Sequence, residues 1–457
     1  MSLKLILSRR EFIKAASAAG CLLPMSGVSN LVWGQTVSAN PTTIASSIAS
    51  DKPPLLVSVF LRGGADGLLL VSPANDLDFI DARPSDLRVV DSGSRAGFLL
   101  AQSNTPNTSF YLHPDAPGLA ELYQAKHLAV IHAVGITDAT RSHEEAQAII
   151  ERGALSVKHD RGMLKVPGWM SRSIMTSSAA SHLRNSIPAY SSSTIAPLSL
   201  EGINNALVTP DLNAGLGVPW GKPTSDFLTA MSVPASGLDQ ANPTQNKNNA
   251  QSVHSAMRDA LQMQDNINLA IARDATGKVL PYLPSGTANY DGAGELARSL
   301  SSIARLAKMQ VGLQVANVNF GGWDTHEGQS GHFANMVRQL SKGLTAFYED
   351  MAASNQSVTI IVMTEFGRRV RSNKSNGTDH GHGACWFALG DHVKGGELYG
   401  QWPGLSSLQM DQGLDLAVTT DYRQVLSEAM QASRLNVTQA LLNYPSSVAS
   451  KPLALFS

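Results

Sequence analysis

Side chains able to bind a cation or move a proton fall just beyond glycine-bearing turns: Asp66, Asp324, His326, Glu365, Asp379, His380 and His382. Mixed imidazole and carboxylate groups suit zinc, manganese or iron, whereas all-oxygen sets suit calcium or magnesium. Carboxylates and histidines brought together repel and desolvate one another unless a cation sits between them. The expected cofactor is therefore a divalent metal: zinc, manganese, calcium or magnesium. The dense groupings Asp324-Thr325-His326 and Asp379-His380-Gly381-His382 carry most of this expectation, since a lone histidine is ordinarily a loop residue. A two-metal site would clamp a transferring phosphoryl or sulfuryl group and activate the attacking oxygen. Arg62, Arg141 and Arg368, with Arg369, lie beside the same turns. They are candidates to hold an anionic substrate, small molecule or polymer.

A hydroxyl and an imidazole complete the set. Ser142 with Glu145 three residues on is a capping-box pattern for a helix His143–Arg152, which is a sufficient structural reason for the serine. A hydroxyl at a helix N-terminus is also well placed to attack phosphate or sulfate, because the backbone N–H groups there favour oxyanions. Ser142 and His143 are thus the catalytic candidates, with both readings of Ser142 open.

These groups need strands behind them. Leu55–Gly67 is an apolar run that breaks at glycines and delivers Asp66; Val315–Glu327 delivers Asp324 and His326; Val358–Arg369 delivers Glu365. Short continuous runs of apolar, β-branched residues indicate strands buried on both faces. In open α/β sheets, ligands bind beyond the carboxyl ends of such strands. Apolar residues at Phe333, Met336, Leu340, Leu344, Phe347 and Met351 predict a long amphipathic helix over His332–Ala353. Strand, helix, strand at this spacing is a βαβ unit, hence a parallel pair. Leu128–Val134 is a further buried strand. Asn248–Arg273, Leu296–Met309 and Gln424–Ser433 read as helices. Residues 176–245, rich in Ser, Ala and Pro, are expected to form a lid or insertion over one α/β domain spanning 54–457.

The whole-chain properties narrow the function classes. A length of 457 residues with 43% hydrophobic content supports a sizeable core. A formal net charge of -1 argues against nucleic acid as the main partner, because phosphate backbones demand a basic face. No haem or iron–sulfur cysteine pattern and no dinucleotide fingerprint is present. Ser8-Arg9-Arg10-Glu11-Phe12-Ile13-Lys14 matches a twin-arginine export signal, followed by a weakly apolar run to Val32 that is too interrupted to be a stable membrane span. Residues 1–39 are therefore expected to be a signal peptide and 40–53 a flexible linker. The twin-arginine machinery is the expected export partner, and the mature chain is periplasmic or secreted. Of the two cysteines, Cys21 falls in the removed segment, which leaves Cys385 without a partner.

The blocks LRGGADGLLLVSP, RSHEEAQ, VNFGGWDTHE, VMTEFGRRVRSN, GTDHGHG, VKGGELYGQWPGL and TTDYRQVLSEAM run in order from about Leu55 to about Ser433. Together they resemble the signature of a bacterial family of exported proteins, domain-of-unknown-function family 1501. That family is similar to the alkaline phosphatase and sulfatase superfamily. The resemblance implies a three-layer α/β fold: a mostly parallel central sheet, helices on both faces, and metals at strand ends. It implies Asp66 as a metal ligand, Ser142 as nucleophile, Asp324 and His326 as a metal pair, and His380 and His382 completing it. Where superfamily enzymes often carry Ser-Asp-His-Gly, this chain has Thr364-Glu365-Phe366-Gly367. The carboxylate stays, and a histidine ligand gives way to phenylalanine. The expected function is an exported, metal-dependent hydrolase of phosphate or sulfate esters. The alternative is a non-catalytic exported protein that binds a glycan, polymer or partner on the same fold.

Overall fold

The computed structural model describes residues 53–102, 108–156, 158–159, 162–163, 165–175, 186–203, 205–216, 260–444 and 452–457. The twin-arginine stretch, and the linker expected at 40–53 save its last residue, lie outside the described residues.

A nine-stranded sheet organises the chain. Its strands are β1 (Leu55–Leu61), β2 (Leu128–Gly135), β3 (Ala189–Ser192), β4 (Ala206–Val208), β5 (Val315–Phe320), β6 (Val358–Met363), β7 (Ala384–Gly390), β8 (Leu398–Tyr399) and β9 (Thr420–Asp421). The order across the sheet is β8-β2-β7-β6-β1-β5-β3-β4, with β9 also pairing β2. Every pairing is parallel except those of β7, which runs antiparallel to both β6 and β2. The βαβ unit is present, but β1 lies between its two strands, paired in parallel with each. β1 is buried along its whole length and apolar at all but Ser58, which suits the position between them.

Alternation along β1 separates two cores. Leu55, Val57, Val59 and Leu61 face one layer, packed with Pro117–Gln124, Gly294–Lys308 and Gln329–Ala353 through residues such as Leu119, Leu300, Phe333 and Leu344. Leu56 and Phe60 face the other, packed with His143–Glu151, Trp169–Met175 and Tyr422–Ala432 through Ile149, Trp169 and Val425. A side chain of this kind, fully buried, contributes about 1.5–3 kcal/mol. The architecture is a three-layer α/β fold with a mixed, mostly parallel sheet and helices on both faces.

The stretch read as a lid behaves differently where it is described. β3 and β4 both fall within 176–245, and they extend the sheet past β5. Ala189, Tyr190 and Ala206 are buried there, so this part is sheet edge and core rather than cover. Residues 176–185 and 217–245 lie outside the described residues. Among the described residues, no helix is long and apolar enough to cross a membrane.

Candidate metal centre

The reversed strand explains how the site is assembled. β1, β5 and β6 end at one edge of the sheet, and β7 begins there because it runs the other way. The connection from Thr364 to Gly383 therefore leaves and re-enters the sheet at a single edge. Its two arms pair: Gly367 N–H donates to His382 O, Gly381 N–H to Gly367 O and Arg369 N–H to Asp379 O, each at 2.9 Å. This pairing needs glycine, since a Cβ on Gly367 would lie 1.9 Å from the Gly383 oxygen. Gly63, at φ +121°, lets the loop after β1 pass the backbone of Asp324, where a Cβ would meet the amide nitrogen at 2.4 Å.

Four side chains converge at this edge. Asp324 Oδ1 lies 3.0 Å from His326 Nε2 and 3.1 Å from His380 Nε2. The two imidazole Nε2 atoms are 2.9 Å apart. His143, the first residue of its helix, brings Nε2 to 3.5 Å from Asp324 Oδ2. Ligand atoms of His143, Asp324 and His380 all lie within 4.8 Å of one another. Burial acts to raise the Asp324 carboxyl, but the hydrogen bond and positive charge of Arg368 lead the effects that outweigh it and hold the group at about 2.

The tautomers follow from the outer partners. His380 Nδ1 faces the Arg141 carbonyl at 2.9 Å, and a carbonyl only accepts, so Nδ1 carries the proton. Burial lowers the pKa of His380, which keeps its Nε2 a lone pair. His143 Nδ1 faces Glu365 Oε1 at 2.7 Å. Glu365 is fully buried, and burial acts to raise its pKa. Hydrogen bonds from His143 and Gln147 prevail and keep it ionised. The bond to Glu365 raises the pKa of His143, against its partial burial. Its Nε2 is buried without a hydrogen-bond partner. Imidazole nitrogens and a carboxylate thus face one another around a point that wants positive charge. That donor set fits a divalent cation.

A family model described as "Protein of unknown function (DUF1501)" matches residues 54–433. The chain belongs to the DUF1501 family. No curated protein matches this DUF1501 chain. Among solved structures it is similar to Ps i-CgsB in complex with k-i-k-neocarrahexaose, at 10% identity and TM-score 0.34, over 89% of this chain and 76% of that one. It is similar to BT1596, a 2-O GAG sulfatase, at 10% identity and TM-score 0.32, over 89% and 76%. It is also similar to a mutant TAB5 alkaline phosphatase with Mg bound, at 10% identity and TM-score 0.30, over 84% and 99%.

Other residues singled out in the sequence take different places in this DUF1501 protein. Glu365 stands behind His143 rather than beside the open centre: its Oε1 also accepts from Gly63 N–H at 2.9 Å and Gln147 Nε2 at 2.7 Å. Asp66 is fully buried and paired with Arg83. His382 is engaged at both nitrogens, by Asp411 at 2.8 Å and the Ile136 carbonyl at 2.9 Å. Arg368 is buried, spending its guanidinium on the carbonyls of Gly63, Gly64, Trp323 and Thr378 and on Asp324 at 2.6 Å. It holds the centre's carboxylate in place, which leaves little of it for a substrate. Arg62 pairs with Glu151 and Asn319, and Arg141 with Asp415. Ser142 caps its helix, with Oγ accepting from Glu145 N–H at 3.5 Å.

The supporting roles of three residues escaped the sequence reading. Gln147 had a signal, since it lies one helical turn beyond His143 on the same face. Phe366, standing where the superfamily pattern has histidine, packs its ring 4.9 Å from His143 and 4.8 Å from His380, a wall for both imidazoles. Nothing in the spacing marked Arg83.

Proposed function

We propose that this protein is an exported, metal-dependent hydrolase of phosphate or sulfate esters. The observation that carries the reading is the convergence of His143, Asp324 and His380, with a buried, unpartnered His143 Nε2 aimed into it. These three side chains, with His326 beside them, would hold a divalent cation. When bound, that cation supplies Lewis-acid polarisation of the ester oxygens.

The chain's own groups have separable tasks in this reading. Glu365 holds the Nδ1 proton of His143, and Asp379, at 3.3 Å from His326 Nδ1, orients that ring. Arg368 pins Asp324. Ser142 is exposed next to His143, and its 3.5 Å cap bond is long, so freeing the hydroxyl for attack costs little. A cleft of about 420 Å³ opens beside Asp379, lined by Arg369, Arg371 and Ser372, by the apolar Val370, Met410 and Leu414, and by Asp78 and Asp81, the latter paired with Arg371. Arg369 lines this cleft, and its guanidinium is the group this reading offers to the anion. The ester class comes from the motif resemblance. Export through the twin-arginine machinery to the periplasm or beyond comes from the Arg9-Arg10 motif.

Elemental analysis of protein folded in its native host tests the cation: stoichiometric metal is expected, and lost in Asp324→Ala/His326→Ala. Phosphate and sulfate esters are then screened with that metal. Ser142→Ala is expected to lower turnover by roughly three orders of magnitude or more without unfolding. Full activity in that variant would assign attack to water. Bound metal with no turnover on either ester class would favour the binding protein, a role compatible with the engaged states of Arg62 and Arg368.

A further inference from the structure

The motif resemblance places a metal on Asp66, and the residues around Asp66 do not fit one. Its Oδ2 lies 2.7 Å from Arg83 Nη1, 2.7 Å from Gln329 Nε2 and 3.4 Å from Thr378 Oγ1. Its Oδ1 lies 3.1 Å from Arg83 Nη2 and 3.1 Å from Leu69 N–H. A carboxylate has about four lone-pair sites, and these contacts use them all. Both side chains of the Asp66–Arg83 pair are sealed from solvent.

Arg83 is equally committed. Its remaining N–H groups go to the carbonyls of Val370 at 2.7 Å, Arg369 at 2.8 Å and Leu87 at 3.3 Å. The fork of donors that a guanidinium presents is thereby fully matched. Gln329 is fixed in turn, with Thr378 Oγ1 at 3.0 Å from its Oε1. A cation could reach Asp66 only by displacing a buried guanidinium that has no water to retreat into.

We propose that Arg83 is a built-in, permanent counter-cation for Asp66, so that the centre takes a single divalent ion, on the His143, Asp324 and His380 side only. This inference rests on the cation reading of that cluster. It places the chain outside two-ion clamping of attacking and leaving oxygens: the second positive charge is covalently part of the protein and faces inward. The leaving group must then be met by side chains, which turns attention to His326 and Arg369.

The test is titration of metal-stripped whole protein with zinc, read by calorimetry and by elemental analysis after dialysis. One equivalent is expected for the wild type. One is also expected for Asp66→Asn/Arg83→Met, which removes both charges together, and none for Asp324→Ala. Two equivalents in the wild type, falling to one in the double variant, would overturn the inference and leave the cluster reading intact. No bound zinc or manganese in the wild type would overturn both. If the double variant does not fold, the wild type loaded with manganese decides. An isolated Mn²⁺ magnetic resonance spectrum is expected, and a spin-coupled pair would overturn the inference.

Discussion

Asp66 and Asp324 arise from the same local design, a buried parallel strand followed by a glycine turn, yet they meet opposite fates. Asp66 is sealed among Arg83, Gln329, Thr378 and a helix N-terminus. Asp324 is half-exposed among imidazoles, with one guanidinium behind it. A carboxylate at a strand end is therefore not yet a ligand. What decides is whether its lone pairs are spent inside the protein or left facing other acceptors.

The largest effect that would break this comparison is expected at the sealed pair. Asp66→Ala leaves the Arg83 guanidinium buried and unpaired, a loss of about 3–5 kcal/mol. Urea unfolding measures it, and a loss below about 1 kcal/mol would mean the pair does not hold the loops.

A second buried group sharpens the comparison through pH. His132 is wholly buried beside Phe110 and Trp402, and burial drives its pKa down to about 4. The unfolded chain therefore binds this proton first as pH falls. The contribution is complete above the ordinary value near 6.5 and is lost as pH falls to about 4, a decline of about 3 kcal/mol. His132→Phe should flatten that part of the profile of melting temperature against pH. An unchanged slope would assign acid sensitivity elsewhere.

The smallest effect lies at the open centre. Glu365→Gln keeps the shape but weakens the hold on His143 Nδ1, and a 10–100-fold loss of zinc affinity is expected, about 1.4–2.7 kcal/mol. Equal affinity in a zinc titration would show that the carboxylate does not orient the ring.

The strands and the open centre were legible for one reason each. β1, β5 and β6 are apolar runs ended by glycine, and Asp324, His326 and His380 are chemically dense where they stand. The partners were not legible, because pairing with Arg83 or Asp411 depends on chain crossings that leave no local pattern. The long helix starts at Gln329 rather than His332, since Gly328 takes a left-handed turn and Gln329 is drawn onto Asp66. Ser/Ala/Pro richness suggested a cover over 176–245, but Ala189–Ser192 is short and wholly buried, an inner strand between β5 and β4. Composition averaged over a long window hides such a strand.

The connection from Thr364 to Gly383 carries Glu365, Phe366, Arg368, Asp379 and His380 between two adjacent strands. These groups are covalent neighbours on one folded-back ribbon, so they inherit its fate together. A single insertion there would disable the cluster wholesale, and exchanging that ribbon between relatives would transplant most of the chemistry as one cassette, leaving the recipient sheet to supply Asp324 and His143.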